Sequence, residues 1–541
     1  MQRRKFLQAA TMLPFFPHPL SGQGSPRQTD ARPGPVPGLD NESPDRQTPD
    51  RQPPDRQTDH LQSAGVGESR DFFYKPDGAW AADFIPLYAD GEFQLFFLLD
   101  WRDTEKHGEG TPWYRISTKD FVHFTEHGEM LPRGTKEEQD LFVFTGSAIK
   151  AEGKYHIFYT GHNPYLADRG KPMEGIMHAV SDDMQQWRKL PAQTFFSPAD
   201  KYEANDWRDP FVFRNEAAGE YNMLVAARFK EGIPRRRGLT ALCASKDLEH
   251  WEVRDPFYSP GLFYTHECPD HFKMGDWYYL LFSEFTDRVR TRYRMSRSPK
   301  GPWIIPKRDD FDGHAYYAAK SASDGHQRFL FGWNPTREGG KDNGGWNWGG
   351  SLVVHEILQE ADGELSVRPP GTVKAAFQNT IHPDFKPAGG PVRVENGTVT
   401  IRSAGTFGAA IAGKMPPICR INTTLEFGKD TPECGLMLRV SDDLDTAYYI
   451  RLEPANNRFV FDKWPRDRAD VPYMVELSRD IVLKPDTPHH LQVFIDGNKG
   501  VAYLDDKIAM NFRIYDSPEG DWGIFASLGT ATFKNTTLST L

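Results

Sequence analysis

The segment EGKYHIFYT at residues 152–160, together with four segments like it, decides the fold predicted for this chain. Each segment has a glycine, one or two polar residues and then an aromatic-rich apolar run. The other four are DGEFQLFFL at 90–98, AGEYNMLVA at 218–226, MGDWYYLLF at 274–282 and DGHQRFLFGW at 324–333. Such a glycine fits the tight turn of a β-hairpin that leads into a buried strand. The sequence therefore predicts five hairpins of one kind.

A second pattern, a serine followed by an aspartate and an aromatic residue, runs in phase with the first. It reads STKDFVHF at 117–124, VSDDMQQW at 180–187, ASKDLEHW at 244–251 and, in degenerate form, MSRSPKGPW at 295–303. Both series repeat every 50 to 65 residues or so, a length that suits one four-stranded blade of a β-propeller. We expect a five-bladed β-propeller over residues 69–372. An all-β sandwich with accidental resemblances is the alternative.

The C-terminal part of the chain changes character. A Pro- and Gly-rich linker is expected at 373–390, and short alternating strands split by Asn396-Gly397 and Asp496-Gly497 predict a β-sandwich over 391–541. The predicted fold is therefore all-β, a five-bladed β-propeller followed by a β-sandwich. Cys419 and Cys434 are candidates for a disulfide in the sandwich.

The N-terminal residues predict export. Residues 1–24 contain Arg3 and Arg4 followed by a short apolar stretch, which resembles a twin-arginine signal, and a disordered basic terminus is the alternative. Residues 25–68 are rich in Pro, Asp, Arg and Gln and predict a disordered linker. No later run of about 18 apolar residues exists, so we expect a periplasmic or extracellular protein with no membrane span once mature.

Composition excludes several classes of function. The 541 residues are enough for more than one folded unit, and 65 Lys+Arg against 75 Asp+Glu give a net charge of −10, which disfavours nucleic acid as a partner. Four cysteines without CxxC spacing do not indicate a zinc site. We expect neither a metal nor another cofactor.

Three carboxylates stand at similar distances before the repeated glycines. Asp83 lies 8 residues before Gly91, Asp209 lies 10 before Gly219, and Glu267 lies 8 before Gly275. The innermost strand of a propeller blade starts near the central channel. We therefore expect the three acids to occupy equivalent positions and to meet in one funnel, and paired carboxylates are what cleavage of a glycosidic bond requires.

Four motifs in this order are similar to those of glycoside hydrolase family 32, which includes invertases, inulinases and levanases. They are WAAD at 80–83, FTGSA at 144–148, WRDP at 207–210 and ECPD at 267–270. The resemblance implies a five-bladed propeller with a sandwich and a retaining hydrolase of β-fructofuranosides or a related furanoside, with an oligo- or polysaccharide as its partner. It makes Asp83 the nucleophile, Glu267 the general acid/base and Asp209 the transition-state stabiliser.

Further residues are expected to bind substrate or to line the pocket. Arg208 stands beside Asp209, and His266 is expected either to orient a sugar hydroxyl or to serve as a hydrogen-bonding prop. The remaining candidates are Trp80, Thr145, Ser147, Trp346 and Trp348. A second RDP tripeptide at 254–256 follows an outer-strand pattern, so Asp255 is expected to be structural and Asp209 functional.

The chain departs from the family pattern around the nucleophile. Ala82 stands where the family usually has Asn, and the segment LLDWRD offers Asp100, Trp101 and Arg102 where a Gln is common. We expect these residues to frame the sugar and sucrose to be a poor substrate. Two other functions stay open: an inverting hydrolase of a related five-bladed family, and a carbohydrate-binding propeller without turnover, against which the three retained acids argue.

Overall fold

A computed structural model describes residues 68–465 and 476–541, and most of the ordered elements in these residues are β-strands. The export signal and almost all of the linker predicted at 25–68 lie outside the described residues. Helices within the described residues are few and short. The α-helices are α1 (Thr104–His107) and α2 (Gly371–Ala376), and the 3-10 helices are Pro164–Arg169, Pro191–Gln193, Pro234–Arg236, Glu338–Gly340 and Pro454–Asn456.

Antiparallel units of three or four strands follow one another along the first part of the chain, and a short strand, β1 (Glu68–Arg70), pairs with the last strand of the first unit. The first unit is β2 (Trp80–Ala89), β3 (Glu92–Asp100), β4 (Trp113–Thr118) and β5 (His123–Leu131). The second is β6 (Phe142–Ala151), β7 (Lys154–His162), β8 (Glu174–Ser181) and β9 (Arg188–Lys189). The third is β10 (Tyr202–Asn215), β11 (Glu220–Phe229), β12 (Gly238–Ser245) and β13 (Glu252–Val253).

Two more units complete this part of the molecule. The fourth is β14 (Glu267–Met274), β15 (Trp277–Glu284) and β16 (Arg290–Ser296). The fifth is β17 (Tyr317–Ser323), β18 (Arg328–Arg337), β19 (Trp346–Gln359) and β20 (Leu365–Arg368). The first strand of each unit contacts that of the next, in the order β2, β6, β10, β14, β17 and back to β2. The first strands therefore form a closed ring.

The two repeated patterns of the sequence correspond to two kinds of turn. All five repeated glycines have a positive φ, between 56° and 94°, and each lies between the first and second strands of its unit, where a residue without a side chain is favoured. The serine and aspartate pattern forms the turn after the third strand. In the third unit Ser245 Oγ accepts the backbone N–H of Leu248, and Asp247 accepts that of His250.

The C-terminal part consists of two facing sheets. One contains β21 (Asn379–Ile381), β23 (Val392–Glu395), β24 (Thr398–Arg402), β26 (Ile418–Phe427), β31 (His489–Asp496), β32 (Lys499–Leu504), β33 (Ile508–Arg513) and β35 (Thr530–Thr540). The other contains β22 (Lys386–Gly389), β25 (Phe407–Lys414), β27 (Glu433–Val440), β28 (Ala447–Glu453), β29 (Arg458–Trp464), β30 (Leu477–Asp480) and β34 (Asp521–Ser527). Strands β21 and β22 lie within the segment that the sequence predicts to be a linker.

Apolar side chains from both sheets fill the space between them. Cys419 and Cys434 belong to this core as buried free thiols, so the candidate disulfide is not formed in this structure. Polar contacts connect the sandwich to the fourth and fifth units, for example between Arg479 and Asp310. Across residues 68–465 and 476–541, no helix has the length and apolar character needed to cross a membrane.

Candidate active site

The same backbone irregularity recurs in the first strands of four units. The pairing register shifts between Ala82 and Ile85, Arg208 and Phe211, Glu267 and Asp270, and Tyr317 and Lys320. Each shift contains a non-glycine residue with a positive φ: Asp83 at 48°, Asp209 at 57°, Cys268 at 50° and Ala318 at 53°. Such a conformation is unfavourable for a residue with a side chain and tends to recur at functional sites. The four bulges therefore lie at corresponding positions in the first strands of their units.

The bulges correct the expected equivalence of the three acids. Asp83 and Asp209 are themselves bulge residues, whereas Glu267 is the residue just before the bulge of its strand. By position Glu267 corresponds to Arg208 in the third unit and Tyr317 in the fifth. Asp83 and Asp209 therefore occupy equivalent positions in their strands. Glu267 occupies the position before the bulge, next to Arg208 and Tyr317.

Glu267 is held by both of these neighbours. Arg208 Nη2 lies 3.1 Å from Glu267 Oε1, and the Tyr317 hydroxyl donates to Glu267 Oε2 at 2.7 Å. Hydrogen bonds to an ionised group are stronger than neutral ones and fix its orientation. The Glu267 side chain is 19% exposed, so its orientation is set while it stays accessible.

Asp83 accepts a hydrogen bond at 3.0 Å from the indole Nε1 of Trp333. Burial raises the pKa of Asp83 to about 8, and repulsion from Asp209 and Glu267 adds to this, while the Trp333 bond and the charge of Lys320 act in the opposite direction. Asp83 thus holds its proton more tightly than an ordinary aspartate does.

Asp209 is enclosed, with 3% of its surface exposed. Its Oδ2 accepts the backbone N–H of Cys268 at 3.0 Å, so its carboxylate lies against the residue next to Glu267. Burial raises the pKa of Asp209 to about 6 despite the opposing charge of Arg208, and Glu267 raises it further. Asp83 is repelled by Asp209 and Glu267, and Asp209 by Glu267, so the three acids lie near one another.

Arg208 connects this site to a second group of charges. Its Nη1 contacts Asp206 and lies 3.7 Å from Glu174, and Asp206 is in turn 3.2 Å from Arg228. Arg228 donates to the carbonyl of Pro234, which belongs to the loop between the second and third strands of this unit. A continuous polar network therefore leads from Glu267 to the loops of the third unit.

Residues 74–369 match the family model described as the glycosyl hydrolases family 32 N-terminal domain. The chain belongs to this family. It is therefore a glycosidase that acts on O-glycosyl bonds, with a carbohydrate as its substrate, as the resemblance predicted.

Similar proteins span most of the chain of this glycosidase. The chain is 24% identical to a sucrose-6-phosphate hydrolase of Escherichia coli over 487 residues, which cover 86% of the chain and 93% of the relative. It is 23% identical to a levanbiose-producing levanase of Bacillus subtilis (strain 168) over 506 residues, covering 84% and 87%. The crystal structure of fructan 1-exohydrolase IIa from Cichorium intybus has a TM-score of 0.66 at 14% identity, covering 88% and 97%. The predicted all-β fold, a β-propeller followed by a β-sandwich, is confirmed.

Among the other predicted site residues of the glycosidase, Asp100 and Arg102 bind each other. Asp100 accepts the Arg102 backbone N–H at 2.8 Å, and the Arg102 guanidinium lies over the Trp80 ring at 4.5 Å. Arg102 Nη2 also donates to Thr336 Oγ1 at 2.8 Å and to the Trp348 carbonyl at 2.9 Å. These residues therefore join the first unit of the ring to the fifth.

Two of the predicted tryptophans stand apart from these contacts. Trp101 stacks on His107, with ring centroids 5.0 Å apart. Trp346 lies against Arg337 and His314 and packs beside the sandwich core. Trp348, in contrast, is 6.2 Å from Trp333, the tryptophan that binds Asp83.

Three other predicted residues are buried. Ser147 Oγ accepts the Val212 backbone N–H at 3.0 Å, and Thr145 is 2% exposed, so both side chains are enclosed within the protein. His266 has no exposed surface and stacks on Phe282 with ring centroids 4.3 Å apart, and burial lowers its pKa to about 3. This burial favours the alternative of a hydrogen-bonding prop for His266.

The second RDP copy differs from the first in its surroundings, because Asp255 is exposed and lies just after β13, the last strand of its unit. Sequence reasoning missed Tyr317 and Trp333. Tyr317 lies 8 residues before Gly325, the spacing that singled out Asp83 and Glu267, so counting back in the fifth unit would have found it. Across the described ranges, no group of three His, Cys, Asp or Glu side chains is arranged to hold a metal ion.

Proposed function

We propose that the chain is a retaining hydrolase of β-fructofuranosides with Asp83 as the nucleophile, Glu267 as the general acid/base and Asp209 as the stabiliser of the transition state. The observation that carries the proposal is the fixed Glu267 carboxylate, bound by Arg208 and Tyr317, near the buried Asp209 and the half-buried Asp83. The names of the relatives, a sucrose-6-phosphate hydrolase and a levanase, support fructose-containing substrates.

The reaction would take two steps. In the first, the Asp83 carboxylate attacks the anomeric carbon while Glu267 gives its proton to the leaving oxygen, which forms a glycosyl-enzyme ester and releases the rest of the substrate. In the second, Glu267 takes a proton from water as the water attacks the same carbon and frees Asp83. Two displacements leave the configuration of the sugar unchanged.

The acid pair needs one proton for the first step, and that proton must be on Glu267. In the free site burial raises the pKa of Asp83, which favours the proton on Asp83. Sugar hydroxyls that donate to Asp83 and Asp209 would favour the ionised form of both. Binding would then shift the proton to Glu267 without changing the charge of the pair.

The test is methanolysis combined with three variants. Sucrose, inulin, levan and arabinofuranosides are offered to the chain and to Asp83→Asn, Glu267→Gln and Asp255→Asn. We expect turnover of at least one fructoside, losses of about 1,000-fold or more in the two site variants, and near-normal activity in Asp255→Asn. With methanol as acceptor, the product identified by NMR should be the methyl β-fructofuranoside.

Other outcomes would support the other candidate functions. An α-configured product would indicate the inverting mechanism. Binding of a fructan without turnover of any substrate, in a chain that melts cooperatively, would indicate a carbohydrate-binding propeller.

The proposal includes export by the twin-arginine route, on the evidence of Arg3 and Arg4 alone. Replacing both by lysine should keep the full-length chain inside the cell, and fractionation would measure this. Unchanged export of the double-lysine variant would contradict it.

A further inference from the structure

Lys320 is a buried cation that the proposed reaction leaves unused. It lies on β17, three residues after Tyr317, and is 1% exposed. Its Nζ donates to the carbonyl of Pro269 at 3.1 Å. Within residues 68–465 and 476–541, no carboxylate oxygen forms an ion pair with it at 4.0 Å or less. An ammonium enclosed in this way is unfavourable unless other negative charge compensates it.

Lys320 lies next to the strands that carry Glu267 and Asp209. Pro269 is part of the bulge that follows Glu267, and the Nζ lies 5.6 Å from the ring of Phe211, two residues after Asp209. The ammonium therefore lies between the strand of Glu267 and that of Asp209. Its charge lowers the pKa of both Asp83 and Asp209.

The charged groups around Lys320 indicate which carboxylates balance its charge. Arg208 is the other cation of the site, but it also faces Asp206 and Glu174. Asp270 accepts the Ser321 backbone N–H and faces Arg328. The ionisable groups on the neighbouring strands include Asp83, Arg208, Asp209, Glu267, Cys268, Asp270, Glu284, Tyr317 and Arg328. Among the other carboxylates, Glu267 is bound by Arg208 and Glu284 by Arg292, which leaves Asp83 and Asp209 to balance the Lys320 charge.

We propose that Lys320 is a positioning residue, the buried cation that lets Asp83 and Asp209 be ionised together in the working site. The inference rests on the proposed function, because it acts through the nucleophile and the stabiliser. Without this charge both aspartates would bind protons more tightly, so the enzyme would need a higher pH to reach its active form.

The test uses two substitutions of Lys320 and a matched control. Lys320→Gln retains a donor for the Pro269 carbonyl and removes only the charge, whereas Lys320→Met removes both. The control is Lys189→Met, which removes a lysine that pairs with Asp140 in the second unit. The dependence of kcat/KM on pH is measured for each variant with the fructoside that the parent chain hydrolyses, and circular dichroism checks the fold.

The acidic limb of the profile, which reports the ionisation of Asp83, should move to higher pH in the two Lys320 variants, by about half a unit or more, with a loss of about tenfold per unit. The control should keep the acidic limb of the parent. An unmoved acidic limb in a folded Lys320→Gln variant would overturn the inference, whatever the change in kcat. A site in which Asp83→Asn remains active would instead overturn the proposed function.

Stability provides a second measurement if the Lys320 variants fold poorly. Asp83→Asn is introduced into the parent and into Lys320→Gln at pH 9, where Asp83 is largely ionised in the parent, and it should raise the melting temperature more in the Lys320→Gln background, because the Asp83 charge is uncompensated there. If Asp83→Asn raises the melting temperature equally in both backgrounds, the role of Lys320 as a counter-charge is refuted.

Discussion

Asp209 and Asp255 occupy copies of the same tripeptide, yet they lie in different surroundings. Asp209 is buried against the backbone of Cys268, whereas Asp255 is exposed beyond the last strand of its unit. We predict that Asp209→Asn lowers kcat by a factor of about 100 to 1,000 with the fold intact, because charge that stabilises the reacting centre is lost. Asp255→Asn should stay within about twofold of the parent. Equal losses in the two variants, measured at saturating substrate, would contradict this assignment.

The site also predicts how stability depends on pH. Asp83 has a pKa of about 8 in the folded chain and an ordinary value of 3.8, so the folded state binds its proton more tightly than the unfolded state does. Stability from this group is complete below about pH 4 and falls as the pH rises toward 8, on the order of 1 kcal/mol per pH unit. Asp83→Asn should therefore raise the melting temperature at pH 7.5 and change it little at pH 4.

Asp255→Asn is the matched control, since an exposed aspartate should give no such difference between the two pH values. An Asp83→Asn variant with the same change in melting temperature at pH 4 and pH 7.5 would show that burial does not raise the proton affinity of Asp83 in solution.

At the scale of strands, counting residues back from the repeated turn glycines predicts the positions of the candidate site residues to within one or two residues. Counting back from the turn glycines finds Asp83, Asp209 and Glu267, and would have found Tyr317. It cannot separate a bulge residue from its predecessor, because the first strands differ in length, with 8 residues in β14 and 14 in β10. The register of a first strand depends on how it pairs with the second strand, and the sequence of one strand alone does not determine this pairing.

The sequence predicts that Arg102 contacts the sugar, and in the structure its side chain also joins two units of the ring. Its guanidinium binds Thr336 and the Trp348 carbonyl, across the junction where the last unit meets the first. We predict that Arg102→Met destabilises the chain by about 1 to 3 kcal/mol, because the buried Thr336 hydroxyl and the Trp348 carbonyl lose a charged donor. Arg169→Met, which removes an exposed arginine near Glu137, is the control. Denaturation by urea measures both, and equal stability of the two variants would indicate that Arg102 does not fasten the ring.

At the scale of the whole molecule, buried charges fasten the sandwich to the propeller. Arg479 of β30 binds Asp310 of the propeller, and Asp312 accepts the Asn511 backbone N–H at 2.9 Å. Arg479→Met leaves part of the negative charge of Asp310 uncompensated in a buried place, and we predict a loss of about 3 to 5 kcal/mol. Calorimetry should show one cooperative transition in the parent chain. Two separate transitions in the parent would show that the domains unfold independently.

The sequence predicts the two domains but not this interface. Arg479 and Asp310 are 169 residues apart and belong to no repeat, so nothing in the spacing pairs them. The predicted linker is likewise partly structured, because β21 and β22 add edges to sheets whose other strands lie far along the chain. Such pairings arise only when the whole core assembles.

In the proposed reaction Asp83 forms a covalent bond to the sugar, and this intermediate can be trapped. Glu267→Gln is mixed with an activated β-fructofuranosyl donor whose leaving group needs no acid, quenched in acid and digested for mass spectrometry. We predict one fructosyl group on the peptide that contains Asp83, and none when Asp83→Asn is added to the same variant. An adduct on Asp209 instead, or turnover with inverted configuration and no adduct on any peptide, would contradict the account.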